Sequence, residues 1–451
     1  MKAVNWRRNM TKSKFETGLW TRRQALKTMG IAGAGLAASS LAAPALRAQG
    51  NKPIRFLNCE TGKDTLAFFS KVAKEYQEKT GVEVVIDSVP LGESFTKITN
   101  GIRSGTPYDV ANVGFIGHVL LLAEQEQIVP LNELTDEYQW GNNILFPIDN
   151  KVYWYPFDYN LALIYYRKDL YETNGLSLPN TWDAFVQNSE ALVQGRQKGA
   201  LFPIGSNGAT NWMSFAFLWA EGVKLFDDQW NVILDNDEMK PRVAAYLDFM
   251  TKLYGTMPPG ALQASYSDVL SNLVGGAVAH GAYAGRVLEA AERDNPTLAE
   301  NLGVMPYMDM SGKQKAVSHG YDGWVVLKTD NTGPAMDFMR WLTTDRMVDF
   351  LHTAPVHFQP TRLDIYEDQR WRDNAMIQKY SGVVEQMREL VTDESVVLTS
   401  IDTQGPAPDV RPGKVFESFV MPEMLQNKIL REMDSAEAVD QAAAKMREVI
   451  K

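Results

Sequence analysis

The chain is poor in cysteine and histidine, the residue types that build disulfides and many transition-metal sites. Its only cysteine, Cys59, has no partner within the chain, so an internal disulfide is excluded. The residues before it, Phe56-Leu57-Asn58, do not form a lipobox, which argues against a lipid anchor at this position. The five histidines form no HExxH pattern, and we expect neither a metal site nor a cofactor.

Catalytic motifs and long apolar runs are also missing. The chain contains no GxSxG elbow, no dinucleotide-binding glycine fingerprint and no Walker A sequence. After the first 48 residues, no stretch approaches the roughly 20 apolar residues that cross a bilayer. These absences favour a soluble binding protein over an enzyme. An exported carbohydrate-active enzyme stays open as an alternative, since an acidic chain always contains carboxylate pairs that would serve glycoside hydrolysis.

The N-terminus contains an export signal. Residues 1–48 carry nine Lys or Arg, and the sequence TRRQALK at 21–27 is a twin-arginine motif. A charge-free, weakly apolar run at 28–46 follows it. We predict twin-arginine export to the periplasm and cleavage near Ala45 or Ala48. An uncleaved membrane anchor is the alternative, although the run is barely long enough to span about 30 Å of hydrocarbon.

Removing this segment leaves a strongly acidic chain. The full sequence has 45 basic and 55 acidic residues; without the nine basic residues and the single acid of 1–48, it keeps 36 and 54, a net charge of −18. A chain of this charge is a poor partner for nucleic acid or for an anionic membrane surface. We therefore expect no nucleic-acid partner.

The remaining chain of about 400 residues is too long for one ordinary core and predicts two lobes. Its start alternates strand patterns at 54–58, 82–86 and 110–113 with a helix ending at Gly81 and another at 95–103. This βαβαβ order predicts an α/β fold with a mostly parallel sheet between helices. Ligands of such sheets bind beyond the carboxyl ends of the strands. The loops at those ends are 59–64, 88–94 and 114–118.

Two further strand patterns, 152–155 and 161–166, are separated by Pro156 to Asn160, and the proline predicts a break or crossover there. Helical patterns then dominate, and strands return later in the chain. Strands on both sides of a helix-rich middle predict discontinuous lobes joined by several crossovers. The predicted helices are 182–197, 212–220, 241–254, 286–293, 333–342, 345–352 and one from Ser435, and the predicted strands are 277–282, 303–306 and 323–327.

An ordered set of short motifs resembles a known family. SGTPYDV at 104–110 is followed by LIYYRKDLY at 163–171, GVMP at 303–306 and PTR at 360–362. In this order the motifs resemble the bacterial extracellular solute-binding proteins that include the maltose-binding protein. The resemblance covers residues 53–451, and its strength lies in the order of the motifs.

The resemblance implies a class II periplasmic-binding-protein fold, in which two α/β lobes close on a solute about a multi-strand hinge. It implies lobe 1 from 53–157 and 306–358, lobe 2 from 161–304 and 361–451, and a first hinge crossover at 156–160. It also implies a monomer that captures a mono- or oligosaccharide, or a related polyol, in the periplasm. The partner that receives this solute would be the membrane permease of an ABC importer.

Sugar recognition requires aromatic rings for C–H faces and carboxylates, amides or arginine for hydroxyls. Side chains of these types in predicted loops and in the hinge are therefore the candidates. Several have structural alternatives: Asp64 would also cap a helix, Trp212 would also pack in the core, and we expect His118 to pack against a helix. The candidate solute contacts are Glu60, Lys63, Asp64, Phe115, Asp158, Asn160, Asn211, Trp212, Tyr283, Arg286, Tyr321, Asp322 and Trp324.

The charge of the solute stays open at this level. A neutral sugar is the first expectation. An anionic sugar derivative would use Arg286 and Lys63, and a polyamine would use Tyr321 and Asp322.

Overall fold

The computed structural model describes residues 52–451. The predicted twin-arginine motif, its apolar run and both cleavage positions lie outside this range. Within it, none of the helices combines the length and the apolar character needed to cross a membrane.

Ten strands form one hydrogen-bonded network in this part of the chain. The strands are β1 (Ile54–Asn58), β2 (Val84–Ser88), β3 (Val110–Val113), β4 (Tyr155–Arg167), β5 (Lys198–Leu201), β6 (Val278–Tyr283), β7 (Leu302–Met305), β8 (Tyr307–Met308), β9 (Lys315–Val326) and β10 (Val397–Thr399). The main path runs β2-β1-β3-β9-β4-β6-β5, with β8 and β10 paired to β9 and β7 paired to β4.

Helices surround this network. The longer ones are α1 (Lys63–Thr80), α2 (Leu91–Arg103), α3 (Ile116–Glu124), α6 (Trp182–Ala191), α9 (Met239–Tyr254), α10 (Tyr266–Val274), α11 (Arg286–Asp294), α13 (Thr332–Asp345), α18 (Ser381–Thr392), α19 (Val410–Glu417), α20 (Val420–Arg431) and α21 (Ser435–Val449). The shorter ones are α4 (Asn132–Thr135), α5 (Lys168–Asn174), α7 (Gly208–Met213), α8 (Ala216–Ala220), α12 (Pro296–Glu300), α14 (Met347–Leu351), α15 (Leu363–Glu367), α16 (Gln369–Arg372) and α17 (Ala375–Lys379).

The predicted βαβαβ start is confirmed. Strand β1 pairs in parallel with both β2 and β3. Helix α1 buries Phe69, Val72 and Tyr76 at helical spacing and ends at Gly81, whose φ of 76° suits a residue without a side chain. The sheet as a whole is mixed rather than mostly parallel, because β9 lies antiparallel between β3 and β4.

Of the two alternatives predicted at Pro156, the break is wrong and the crossover stays a prediction. Strand β4 runs without interruption from Tyr155 to Arg167, and its register against β9 shifts between Pro156 and Asp158. A bulge at this point accommodates a residue that has no N–H to donate. Because β4 pairs with β9 through its first half and with β6 and β7 through its second, it connects both ends of the sheet.

The expected first hinge crossover, 156–160, contacts the later segment 359–361. The backbone N–H of Tyr159 donates to the carbonyl of Gln359 at 2.8 Å, and the hydroxyl of Thr361 donates to the carbonyl of Pro156 at 2.9 Å. The chain therefore passes between the two ends of the sheet at adjacent positions.

Other predicted bounds change in the helix-rich middle. The helix expected at 182–197 ends at Ala191, and Gly195, with φ of 58°, turns the chain into β5. The helix expected at 212–220 is two helices, α7 and α8, interrupted where the hydroxyl of Ser214 donates to the carbonyl of Pro203 at 2.6 Å. Strand β2 lies two residues later than its apolar pattern predicts.

Two main groups of buried apolar side chains form the cores. The smaller group packs Phe56, Phe157, Trp324 and Phe350 around the β1 end of the sheet. The larger group extends from the sheet into the middle and C-terminal helices. Aromatic rings in edge-to-face contact fill the smaller core, so the rings buried there are not available to a ligand.

Candidate functional site

A cleft of about 650 Å³ lies where several strands end. Leu91 follows β2, Phe115 follows β3, Tyr283 is the last residue of β6, and Arg286 opens α11 shortly after it. This is the position that the strand order predicts for a ligand. The volume is in the range typical of small-molecule sites.

Aromatic rings form one wall of the cleft. Trp212 on α7 lies with its ring centroid 5.6 Å from that of Tyr283 and 5.9 Å from that of Tyr266. The indole Nε1 of Trp212 has no hydrogen-bond partner among residues 52–451. Phe115 also lines the cleft and packs against Phe416, with ring centroids 4.9 Å apart. These rings offer flat apolar faces and one unused N–H donor.

A cluster of carboxyl groups lies beside these rings. Asp158 on β4 and Asp322 on β9 are directly opposite each other in the antiparallel pair, which brings their side chains to one face. The amide of Asn160 donates to Asp322 Oδ2 at 3.2 Å. Glu60, just after β1, lies 3.7 Å from the guanidinium of Arg286. Three acids therefore share one neighbouring cation.

Burial raises the pKa of all three carboxyl groups, because a charged form is costly away from water. The carboxyls also raise one another's pKa: Asp322 and Glu60 raise the pKa of Asp158, and Glu60 raises that of Asp322. Arg286 lowers the pKa of each carboxyl but does not offset the burial. Ionising the carboxyl groups of this cluster is therefore costly.

Two histidines of the cleft, His319 and His357, add no positive charge near neutral pH. Burial lowers the pKa of His319 to about 3, and burial together with Arg286 lowers that of His357 well below its usual range. Among the described residues that line the cleft, no lysine is present and Arg286 is the only arginine.

The neighbours of Arg286 fix its position. A Cβ on Gly285 would lie 2.0 Å from the carbonyl oxygen of Val356, so only glycine lets this loop pack so closely. On the same helix, Glu289 accepts hydrogen bonds from the N–H groups of Val356 at 3.1 Å and His357 at 3.2 Å. Gly285 thus admits the backbone at 356–357, which holds the start of α11 in place.

The C-terminal quarter supplies cleft residues that the sequence analysis missed. Asp402 accepts a hydrogen bond from the N–H of Ile116 at 3.0 Å and another from Ser400, which ties this segment to the start of α3. His118 packs against helix α2 as expected, stacked on Phe95 with ring centroids 3.8 Å apart, and it also lines the cleft. No motif marks these positions in the sequence. The missed residues include Phe95, His118, Tyr266, His319, His357, Ser400, Asp402, Phe416, Glu417 and Phe419.

Most of the predicted contact residues come together here. The ones that line the cleft are Phe115, Asn160, Trp212, Tyr283, Arg286, Tyr321 and Asp322. Glu60 and Asp158 adjoin it through Arg286 and Asp322.

The structure corrects four assignments. Lys63 and Asp64 are exposed in the first turn of α1, where they face solvent. Asn211 is buried and donates to the carbonyl of Phe416 at 2.9 Å. Trp324 is fully buried in the smaller core, because edge-to-face contacts with aromatic neighbours bury more of its ring than a cleft would. These four side chains do not line the cleft.

The arrangement suits binding of a polar solute with apolar faces. Rings, buried acceptors and one arginine converge on it, whereas the described residues contain no group of three or more His, Cys, Asp or Glu placed to hold a metal ion. Two halves of a sheet joined by long strands, with the cleft at the strand ends, define a two-lobed solute-binding protein.

Comparison with known proteins gives the family. The model of the family described as "Bacterial extracellular solute-binding protein" matches residues 61–348. The chain belongs to this family, and both the predicted membership and the predicted two-lobed α/β class are confirmed.

Individual relatives are distant. The putative ABC transporter periplasmic-binding protein YcjN of Escherichia coli is 20% identical over 89% of this chain and 93% of its own, whereas another curated relative is matched over only 36% of its length. A solute-binding protein of Thermotoga lettingae, solved with alpha-D-tagatose, has a TM-score of 0.69 at 20% identity, covering 89% of this chain and all of that one. One of Agrobacterium radiobacter, solved with ribitol, has a TM-score of 0.70 at 16% identity, covering 88% and 99%.

Proposed function

We propose that this protein is the substrate-binding component of an ABC importer, which captures a sugar or polyol in the periplasm and delivers it to a membrane permease. The observation that carries the proposal is the cleft in which Trp212 and Tyr283 stand beside the carboxyls of Asp158 and Asp322. Rings match the C–H faces of a sugar, and carboxylates accept hydrogen bonds from its hydroxyls. Solved members of similar fold contain tagatose and ribitol, which supports this class.

The solute contacts that we propose are the predicted residues in and beside the cleft. Trp212, Tyr283 and Phe115 supply ring faces, and Asn160, Asp322 and Arg286 supply polar groups. Binding draws together a lobe of 53–157 and 306–358 and a lobe of 161–304 and 361–451. The contacts between 156–160 and 359–361 support a hinge at that place.

A thermal-shift panel of sugars and polyols, with their amino and acidic derivatives included, tests the function. A solute at a thousandfold excess over its Kd should stabilise the protein by about 4 kcal/mol, because it binds the folded state only. Calorimetry on the hits should give a Kd in the micromolar range or below, about −8 kcal/mol. Small-angle scattering should show a smaller radius of gyration with the solute bound. A panel without any stabilising sugar or polyol would refute the proposal.

We also propose that the protein is not an enzyme. The solute should be recovered chemically unchanged after long incubation with the protein, as measured by mass spectrometry. Turnover of the solute by the purified chain would favour the alternative, an exported carbohydrate-active enzyme.

Export by the twin-arginine route is a further part of the proposal. Intact-mass measurement on the exported protein should show a chain that begins within a few residues of Ala45 or Ala48, since small residues there suit a signal peptidase. Replacing Arg22 and Arg23 by Lys should block export, whereas the same change at Arg7 and Arg8, upstream of the motif, should not. A mature mass that includes residues 1–42 would contradict cleavage.

A further inference from the structure

The charge balance of the cleft is strongly one-sided. Glu60, Asp158 and Asp322 cluster around Arg286, and the carboxyls of Asp402 and Glu417 also line the cleft. Asp402 is satisfied by neighbouring donors, so the imbalance centres on the first three acids. One guanidinium faces three carboxyl groups, and it lies in contact with only one of them.

The acceptors of this cluster are largely unused. Asp158 is fully buried, and neither of its carboxyl oxygens has a hydrogen-bond partner within residues 52–451. Asp322 Oδ1 and Asn160 Oδ1 are likewise buried without a donor in the described chain. Buried polar atoms are normally paired, so these acceptors are open to donors from a bound solute.

The aromatic wall points to the same chemistry independently. The ring centroids of Tyr283 and Tyr266 lie 5.6 Å and 5.9 Å from that of Trp212, so three rings meet at one side of the cleft. The faces of such rings attract cations, most strongly when water is excluded. Trp212 Nε1 in turn offers a donor that suits a hydroxyl oxygen.

We propose that the solute is a polyhydroxylated amine, whose ammonium group is held by the carboxyls of Asp158 and Asp322 beside the ring of Trp212. An ammonium supplies both the charge and the N–H donors that the cluster lacks. The hydroxyl oxygens of the solute accept hydrogen bonds from Arg286 and from Trp212 Nε1. The inference rests on the proposed function and narrows its substrate class. An anionic solute would be repelled by the surplus of acids, and a neutral sugar would leave that surplus without a counter-charge.

Calorimetry on matched solutes tests the inference. The pairs are glucose with glucosamine, galactose with galactosamine, and sorbitol with 1-amino-1-deoxysorbitol, measured at about pH 6.5, where the amines are protonated. N-acetylglucosamine is the uncharged control and glucuronate the anionic one. At least one amine should bind about tenfold or more tightly than its neutral partner. Acetylation should abolish this preference, and glucuronate should not bind.

Two variants test whether the amine preference comes from this acid cluster. Asp322→Asn and Asp158→Asn should each reduce the ratio of amine to neutral affinity by about tenfold, since each removes one of the two carboxyls proposed to hold the ammonium and little volume. Asp309→Asn is the matched control, because Asp309 is also buried but bonds to Ser311 and to the N–H of Lys313 and does not line the cleft. It should leave the ratio unchanged. Should one cleft variant fail to fold, the other decides.

Two outcomes overturn the inference in distinguishable ways. If every neutral partner binds as tightly as its amine, the solute is not an amine, but the sugar or polyol function stands. If neither amines nor neutral sugars and polyols bind, the inference fails together with the proposed function. An amine preference that survives in both cleft variants would also overturn the assignment to this cluster.

Discussion

Replacing Trp212 by alanine should weaken solute binding by roughly 30–150-fold, which corresponds to about 2–3 kcal/mol. The indole is the ring that contacts both neighbouring tyrosines of the aromatic wall, and its removal takes away the flat face against which a sugar ring packs. Its loss also removes the unused Nε1 donor. Calorimetric titration with the solute found in the panel measures the change directly.

Two further variants separate the contribution of the ring from that of the N–H donor, and an effect on binding from an effect on stability. Trp212→Phe keeps an aromatic face but loses the N–H, and should cost about 1 kcal/mol of affinity, roughly fivefold. Trp341→Ala is the matched control, because Trp341 has the same exposed fraction as Trp212, 8%, but packs against Tyr76 in the smaller core. It should lower the melting temperature and leave the Kd unchanged. If Trp212→Ala folds and binds at wild-type affinity, the aromatic wall is not the binding surface.

The part of the fold that could be predicted is the part governed by local pattern. The strand at 54–58, the helix before Gly81 and the strand at 110–113 follow from apolar spacing and one capping glycine, and all three are present. The position of a loop residue relative to the cleft could also be predicted, since parallel strands have their carboxyl ends at the same edge of the sheet. Phe115 and Tyr283 could therefore be placed near a ligand before any coordinates.

What could not be predicted depends on contacts distant in sequence. Pro156 looks like a strand breaker, but a bulge against β9, a strand far along the chain, absorbs it. Trp324 and Tyr321 are aromatic residues of the same short stretch and both are buried, yet Trp324 lies in the smaller core, whereas Tyr321 lies in the larger one and lines the cleft. Asp402 lines the cleft and accepts a hydrogen bond from the N–H of Ile116, a residue far away in sequence. Local periodicity holds no information about such pairings.

Replacing Asp158 by asparagine should stabilise the folded protein at neutral pH by about 2 kcal/mol, although it removes a group proposed to contact the solute. Burial, and then the carboxyls of Asp322 and Glu60, raise the pKa of Asp158 well above its usual range, while Arg286 lowers it in part. Neither carboxyl oxygen has a hydrogen-bond partner in the described part of the chain. The neutral amide avoids the cost of this buried charge.

The direction of the pH dependence follows from the raised pKa. Near about pH 4 the unfolded chain loses the Asp158 proton while the folded chain keeps it, so the stability of the wild type falls as pH rises towards the folded pKa. The amide that replaces this carboxyl in the variant does not titrate. The stability gained by Asp158→Asn should therefore be largest above the folded pKa and should vanish below about pH 4, as measured by urea unfolding at a series of pH values.

Replacing a buried carboxyl group whose oxygens already accept hydrogen bonds should instead destabilise the protein. Asp109 accepts hydrogen bonds from the N–H of Arg55 at 2.9 Å, the hydroxyl of Thr329 at 2.6 Å and the amide of Asn331 at 3.2 Å. Asp109→Asn places an amide nitrogen among these donors and should destabilise the protein at neutral pH by about 1–3 kcal/mol. If Asp158→Asn destabilises as Asp109→Asn does, then Asp158 is a structural acceptor with partners in solution, and the acid cluster is not held ready for a ligand.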